Sequence, residues 1–173
     1  MKSINLSLGA FMVLLLLVGC SPEVENNRVE SANLFAEDVE NNHELVQDIL
    51  AVVNEYRSSI GLSSLSEHHT SEELALSHSA YMVEQNKASH DFFFQRSDYL
   101  RDRGAEIVSE NVAYGYQSAE SALQGWLDSP SHKEALEGDF THTGIAVVSN
   151  ENGIKYYTPV SYTHLTLPTI YSV

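Results

Sequence analysis

The chain contains one cysteine, Cys20, among its 173 residues. A single thiol cannot form an intrachain disulfide, a zinc site built from several thiolates or a CxxC redox motif. The fold must therefore be held by a hydrophobic core, and an apolar content of 43% is enough to build one. The net charge of −15 argues against a nucleic-acid partner, because phosphate backbones are bound by clustered lysine and arginine.

Cys20 ends an N-terminal segment that has the features of an export signal. A positive start at Met1-Lys2 precedes an apolar run, Leu8–Val18, that is shorter than the roughly 20 apolar residues needed to span a bilayer. The sequence Leu17-Val-Gly-Cys20 resembles the lipobox of bacterial lipoproteins, in which the cysteine is lipidated and becomes the first mature residue. We expect residues 1–19 to be a signal peptide and Cys20 to carry lipid. The alternative is a buried cysteine in a core strand.

Residues 20–42 have the composition of a lipid attachment point followed by a solvated tether. Between Ser21 and Asn42 the chain has six acidic residues, one arginine and no sustained periodicity. Diacylglycerol and an N-acyl chain together supply more than one lipid chain, so the anchor should hold stably. The sequence therefore predicts a protein of the bacterial cell envelope, bound to the outer face of a membrane.

The C-terminal end carries an unusual run, Val160–Thr169. Its plain reverse translation resembles the mosaic end of a transposase-derived sequencing adapter. We therefore predict that native sequence ends at Thr158, that residues 159–173 are foreign and lie outside the fold, and that Pro159 replaces a native glutamine. The domain would then cover residues 43–158, with its last strand truncated. The alternative is a genuine terminal strand with a proline-containing tail.

Helical patterns dominate the first part of the domain. Apolar residues spaced by three, four and seven predict a helix over Leu45–Ile60. A capping box at Thr70 and Glu73 predicts the start of a second helix that runs to about Lys87. An apolar stripe over Ala119–Leu127 predicts a third helix.

Strand patterns follow the third helix, which Pro130 is expected to stop. Gly144–Val148 and Ile154–Thr158 predict a hairpin because they flank a turn sequence. The middle of the domain is less regular, with a strand predicted within Ile107–Ala113 and a buried loop or strand at Phe92–Phe94. Helices first and strands last, without regular alternation, predict an α+β fold or a three-layer sandwich.

Eight histidines are the most notable chemical feature of the chain. His164 falls in the predicted foreign segment. His43 lies at the end of the tether, and His68-His69 lies in a polar loop, so these three side chains are predicted to be solvated. His78 lies on the apolar face of the second helix and is predicted to be a core residue.

The remaining histidines, His90, His132 and His142, lie next to element ends, where loops commonly carry functional residues. Glu110 and Asn111 lie at the end of a predicted strand. The spacing of these residues along the chain does not by itself show that they converge.

Five short blocks, in order and with fitting gaps, resemble the CAP superfamily of cysteine-rich secretory, antigen 5 and pathogenesis-related proteins, in its disulfide-free bacterial form. The blocks are Asn54–Arg57 with Gly61-Leu62, His90, Ser109–Gly115, Trp126 with Ser129–Lys133, and Gly144–Ala146. The resemblance implies a three-layer α–β–α sandwich with a central antiparallel sheet and a wide cleft where His90, Glu110 and His132 meet. The eukaryotic branch has a further glutamate where this chain has Ser129.

The resemblance also implies a secreted binder of lipids, sterols or surface partners, in a family with no agreed general catalytic activity. We expect a lipid-anchored binding module whose cleft, lined by His90, Glu110, Asn111 and His132, takes a small ligand or a cell-wall component. Two imidazoles and a carboxylate can also supply three ligands to a divalent metal such as zinc, so a metal-dependent hydrolase of envelope material is the alternative. A third possibility is an interaction or structural protein with a vestigial cleft. For Glu110 and Asn111 the alternative role is structural: they chiefly hydrogen-bond buried backbone and fix the cleft wall.

Overall fold

The computed structural model describes residues 39–164. The predicted signal peptide, Cys20, nearly all of the tether and residues 165–173 lie outside the described residues. The helices in the described range are α1 (His43–Ser59), α2 (His69–Gln85), α3 (Phe93–Arg101), α4 (Ala119–Leu127) and α5 (Pro130–Glu137). The strands there are β1 (Ser66–Glu67), β2 (Ala105–Glu110), β3 (Ala113–Tyr114), β4 (His142–Ser149) and β5 (Lys155–His164). None of these helices is long and apolar enough to cross a membrane.

The strands form one sheet in the order β1-β4-β5-β2, and β3 also pairs with β5. Every pairing is antiparallel except the short one between β1 and β4. The long strand β5 therefore lies at the centre of the sheet, with β4 on one side and β2 and β3 on the other.

Two layers of helices cover the two faces of the sheet, because alternate residues of a strand point to opposite faces. Ile145 and Val147 of β4 lie in one core cluster with the buried residues of α1, α4 and α5. Ala146, between them, lies in a second cluster with Ala75 of α2 and Leu100 of α3. This arrangement is the α–β–α sandwich that the resemblance implied.

The start of α2 differs from the predicted capping box. The helix begins at His69, and its N-cap is His68, whose Nδ1 accepts a hydrogen bond from the backbone N–H of Ser71 at 3.2 Å. The usual N-cap acceptor is a side-chain oxygen of Ser, Thr, Asp or Asn. The sequence pattern therefore pointed to Thr70, two residues downstream of the actual cap.

Two helices were not predicted. The apolar triplet expected to form a loop or strand instead leads into α3, with Phe92 in the left-handed region at a φ of 61° just before the helix. Pro130 lies beyond the end of α4, as expected, but it also begins α5. A proline suits the first turn of a helix because the N–H that it lacks would have no intrahelical partner there.

The hairpin of β4 and β5 is confirmed, but β5 is longer than predicted. Residues 159–164 continue the strand, and Val160 pairs with Glu110 on one side and with Gly144 on the other. The structure thus differs from the expectation that everything after Thr158 lies outside the fold. A ladder is made by backbone groups, and valine, tyrosine and threonine favour strands whatever their origin. The foreign origin of the codons stays a prediction.

The first described residues are fixed to the open edge of β4 by Asn41, whose side chain is buried. Its Nδ2 donates to Glu72 Oε1 at 3.0 Å and to the Ile145 carbonyl at 3.4 Å, and its Oδ1 accepts from the Val147 N–H at 2.9 Å. The Asn42 N–H donates to the Val147 carbonyl at 3.0 Å. The contacts of the domain therefore include Asn41, two residues before the predicted boundary.

Candidate functional site

The structure brings four of the predicted residues into one region. His90 lies in the turn between α2 and α3, Glu110 ends β2, Asn111 follows it, and His132 lies in the first turn of α5. His142 is not part of this group, because it starts β4 and stacks on Tyr162 at a centroid distance of 5.2 Å. The convergence that the resemblance implied is thus seen for His90, Glu110 and His132.

Glu110 lies at the bottom of the site, with a side chain that is 0% exposed. Its Oε2 accepts from Arg96 Nε at 2.7 Å, and its Oε1 accepts from Arg96 Nη2 at 2.9 Å. The third nitrogen, Nη1, donates to the Asp91 carbonyl at 2.9 Å. A bidentate arginine satisfies a buried carboxylate in charge and in hydrogen bonds. Burial lowers the pKa of Arg96, and the adjacent Glu110 opposes that shift.

His90 connects this buried pair to the surface, because its side chain is 47% exposed. Its Nδ1 lies 3.0 Å from Glu110 Oε1. An ionised carboxylate only accepts hydrogen bonds, so Nδ1 carries the proton, and in the neutral ring Nε2 is left with its lone pair. The ring centroids of His90 and His132 are 6.2 Å apart, with their planes tilted by 38°.

His132 is partly buried, and this burial, together with nearby His90, lowers the pKa of His132 below its ordinary value. A neutral His132 at physiological pH follows from that direction. The site therefore offers two imidazoles that can act as hydrogen-bonding groups or as nitrogen ligands.

Asn111 holds the backbone beside the two imidazoles. Its Nδ2 donates to the His132 carbonyl at 3.1 Å, and its backbone N–H donates to the Pro159 carbonyl at 3.0 Å. Its buried Oδ1 has no partner among the described residues. Asn111 therefore fixes the start of α5 against β5, and it matches the alternative in which this residue supports the cleft wall.

Trp126 makes a further backbone contact next to the site. This buried side chain donates from Nε1 to the Val112 carbonyl at 3.1 Å. Val112 lies in the short link between β2 and β3, directly after Glu110 and Asn111. The bond ties α4 to the segment that carries the carboxylate.

Sequence reasoning missed two members of the site. Arg96 lies on α3, which was not predicted, so nothing placed its side chain towards Glu110. His78 was assigned to the core and is indeed buried, but its Nε2 also lies 3.8 Å from Glu110 Oε1. Burial and nearby Arg96 lower the pKa of His78 to about 4. The one available signal was a histidine on an apolar helix face shortly before His90.

The donor set does not fit a metal centre with three protein ligands. Both oxygens of Glu110 are bonded to Arg96, whose positive charge disfavours a cation at the carboxylate. Within residues 39–164 no three His, Cys, Asp or Glu side chains are arranged to hold a metal ion. Ser129, at the position of the eukaryotic glutamate, has its Oγ 3.4 Å from Ser131 Oγ. Of the three predicted metal ligands, all of which lie in the described part of the chain, only His90 and His132 are free of Arg96.

Comparison with known protein families identifies the family to which this chain belongs. A family model described as CAP, the cysteine-rich secretory protein family, matches residues 50–162. The chain belongs to this family. The match ends at Tyr162 and so includes part of the segment after Thr158.

Proteins similar to the chain include extracellular, surface and membrane proteins. The chain is 35% identical over 119 residues to the "Uncharacterized membrane protein YlbC" of Bacillus subtilis. The match covers 65% of this chain and 32% of that protein. The chain thus spans about a third of the length of that relative.

Solved CAP structures have the same fold. An outer surface protein from Borrelia burgdorferi superimposes with a TM-score of 0.66 at 21% identity, covering 73% of this chain and 98% of that one. An extracellular protein containing an SCP domain from Bacillus anthracis gives a TM-score of 0.60 at 28% identity, covering 70% of this chain and 41% of that one. The chain therefore shares its CAP fold with a surface protein and an extracellular protein of other bacteria.

Proposed function

We propose that this protein is a lipid-anchored binding module on the outer face of a bacterial membrane. Its cleft between His90 and His132 takes a small ligand or a component of the cell envelope. The lipid is attached to Cys20, and the acidic tether holds the domain away from the bilayer. The extracellular and surface character of the relatives supports this location.

The observation that carries the binding proposal is the pairing of Glu110 with Arg96. A carboxylate that is fully buried and held by a bidentate arginine is not free to act as a general base or to coordinate a metal. The rings of His90 and His132, in contrast, lie with their centroids 6.2 Å apart, and the side chain of His90 is half exposed. A few fixed polar groups on a rigid frame are what a binding site requires.

A titration of the isotope-labelled protein with soluble peptidoglycan fragments tests the proposal. We expect resonances of His90, His132 and their neighbours to shift, and the shifts to disappear when both histidines are replaced by glutamine. His69→Gln is the matched control, because this exposed histidine lies outside the cleft. Shifts that survive the double substitution would remove the cleft from the proposal.

The anchor has its own test. Cells that express the protein should incorporate labelled palmitate into it, and the protein should fractionate with membranes. Cys20→Ser should abolish the labelling and release the protein. Equal labelling of the two proteins would refute lipidation at this residue.

A metal-dependent hydrolase is the second candidate, and one observation favours it. His90 donates from Nδ1 to Glu110, which directs Nε2 away from the carboxylate, and metal-binding histidines are commonly oriented by such a bond. A divalent metal on His90 and His132 would supply an activated water. Calorimetry with zinc separates the candidates. No heat, or heat unchanged by His90→Ala with His132→Ala, rules out the metal enzyme.

A further inference from the structure

His78 is a buried histidine whose place in the structure is not explained by core packing. Its side chain, on α2, is 1% exposed. The ring stacks on Tyr81 at a centroid distance of 5.9 Å and an angle of 16°. An apolar ring would fill the same space, so the polar atoms of His78 are what distinguishes it there.

The tautomer of His78 follows from its one strong hydrogen bond. Nε2 lies 2.7 Å from the Ser89 carbonyl oxygen, which can only accept, so Nε2 carries the hydrogen. Nδ1 is then unprotonated, and it has no partner among the described residues. An unpaired buried nitrogen lowers the stability of the folded protein. The contribution of this histidine is therefore the N–H that it donates to the Ser89 carbonyl.

The Ser89 carbonyl is the backbone group next to His90. His90 is anchored at its ring by Glu110 and at its backbone by the preceding peptide, and both contacts constrain where its ring points. The same carboxylate oxygen, Glu110 Oε1, lies 3.0 Å from His90 Nδ1 and 3.8 Å from His78 Nε2. The two imidazoles thus lie beside the same carboxylate oxygen.

Other contacts also hold this turn, and after His90 the buried guanidinium of Arg96 donates from Nη1 to the Asp91 carbonyl at 2.9 Å. The Ser89 N–H lies 3.5 Å from Met82 Sδ, and sulfur is a weak acceptor. The exposed bond from the Tyr81 hydroxyl to Asp91 Oδ2, at 3.1 Å, holds the far side of the turn. The bond from His78 is the short, buried one on the side of the turn that precedes His90.

We propose that His78 is a positioning residue of the cleft: its Nε2–H fixes the Ser89 carbonyl, and so holds His90 in the orientation in which Nδ1 meets Glu110 and Nε2 faces the cleft. This inference rests on the proposed function in one respect only, namely that the cleft is the binding site. The placement of His90 can be measured without any ligand.

The test compares two replacements of His78 by nuclear magnetic resonance of the imidazole nitrogens, recorded above pH 7 without ligand. His78→Phe keeps a ring against Tyr81 and removes the N–H. His78→Gln places an amide N–H close to where Nε2 lies. We expect His90 to be a single Nδ1–H tautomer in the native protein, a mixture of tautomers in His78→Phe, and a single Nδ1–H tautomer again in His78→Gln.

Ser79→Ala is the matched control for general destabilisation. Ser79 is a neighbouring, fully buried residue of α2 whose Oγ lies 2.8 Å from Thr158 Oγ1, away from the turn. Its replacement should lower the melting temperature and leave the His90 tautomer unchanged. The proposal is overturned if His78→Phe folds and keeps the single tautomer, or if Ser79→Ala alters the tautomer equally. Should His78→Phe not fold, a mixed tautomer in a folded His78→Gln overturns it instead.

The same samples separate this proposal from the proposed function. If peptidoglycan fragments do not bind the native protein while the tautomer still responds to His78, the ligand class is removed and the positioning role stays. Binding without any dependence of the tautomer on His78 removes the positioning role and leaves the cleft as the binding site.

Discussion

Acidification should loosen the start of α2, because the acceptor that caps this helix is an imidazole nitrogen. Nδ1 of His68 accepts from the Ser71 N–H at 3.2 Å and lies 3.0 Å from Ser71 Oγ. A protonated ring has no lone pair left to accept with, and it puts a positive charge at the positive end of the helix dipole. Below the pKa of His68 the cap is therefore lost.

The sign of the effect follows from the pKa of His68. Burial, with the neighbouring His142, His164 and His69, lowers the pKa of His68 below its ordinary value. The unfolded chain therefore takes up this proton at a higher pH than the native protein does. Stability should be unaffected above pH 7.5 and should fall as the pH drops from about 6.5 through the lowered native pKa.

The magnitude follows from the cap geometry. Losing an N-cap side chain costs about 1 kcal/mol, and a cation at a helix N-terminus adds about 0.3–1 kcal/mol. We therefore expect a loss of about 1–2 kcal/mol in the free energy of unfolding. For a domain of this size that corresponds to roughly 3–6 °C in melting temperature.

Urea unfolding at pH 7.5 and pH 5.0, followed by the fluorescence of the single tryptophan, measures the effect against His68→Asn. Asparagine is among the best N-caps and does not titrate. The stability of His68→Asn relative to the native protein should therefore increase by about 1–2 kcal/mol between the two pH values. His69→Asn, at the exposed first residue of α2, removes no cap and should therefore show a smaller change. An unchanged difference between His68→Asn and the native protein would refute the reasoning.

Three further outcomes are expected from urea unfolding followed by circular dichroism, because one of the variants removes the single tryptophan. Arg96→Met should cost about 3–5 kcal/mol because it leaves the carboxylate of Glu110 buried without its partner, and a loss below 1 kcal/mol would contradict the pairing. Trp126→Phe should cost at least about 1 kcal/mol because the Val112 carbonyl loses its donor; an unchanged midpoint would show that water replaces it. Pro159→Gln should raise the midpoint, since a proline in a central strand lacks the N–H that the ladder uses; a lower midpoint would count against a native glutamine.

The elements that the sequence predicted are those with a clear apolar stripe. In α1 the buried residues include Leu45, Ile49 and Val53, whose spacing follows the helical period. In α3 two of the three buried residues, Arg96 and Ser97, are polar, so no apolar period marks the helix. In α5 only Leu136 is buried.

The residues of the site also include some that were predicted and some that were not. The convergence of His90, Glu110 and His132 was anticipated by resemblance to a family, because their spacing along the chain carries no three-dimensional information. The partners of Glu110 were not anticipated. Arg96 reaches the carboxylate only because α3 packs against β2, and that contact depends on the tertiary structure rather than on any local pattern.

The attachment of Asn41 to β4 determines how a mechanical load enters the domain. A pull on the chain from its N-terminal side reaches Asn41 before it reaches α1, and Asn41 passes the force to the backbone of Ile145 and Val147. The load is then shared along β4 and its long antiparallel neighbour β5, and it does not act first on α1. A domain held on a lipid through this point should resist tension with its sheet, and Asn41→Ala should make α1 the first element to detach.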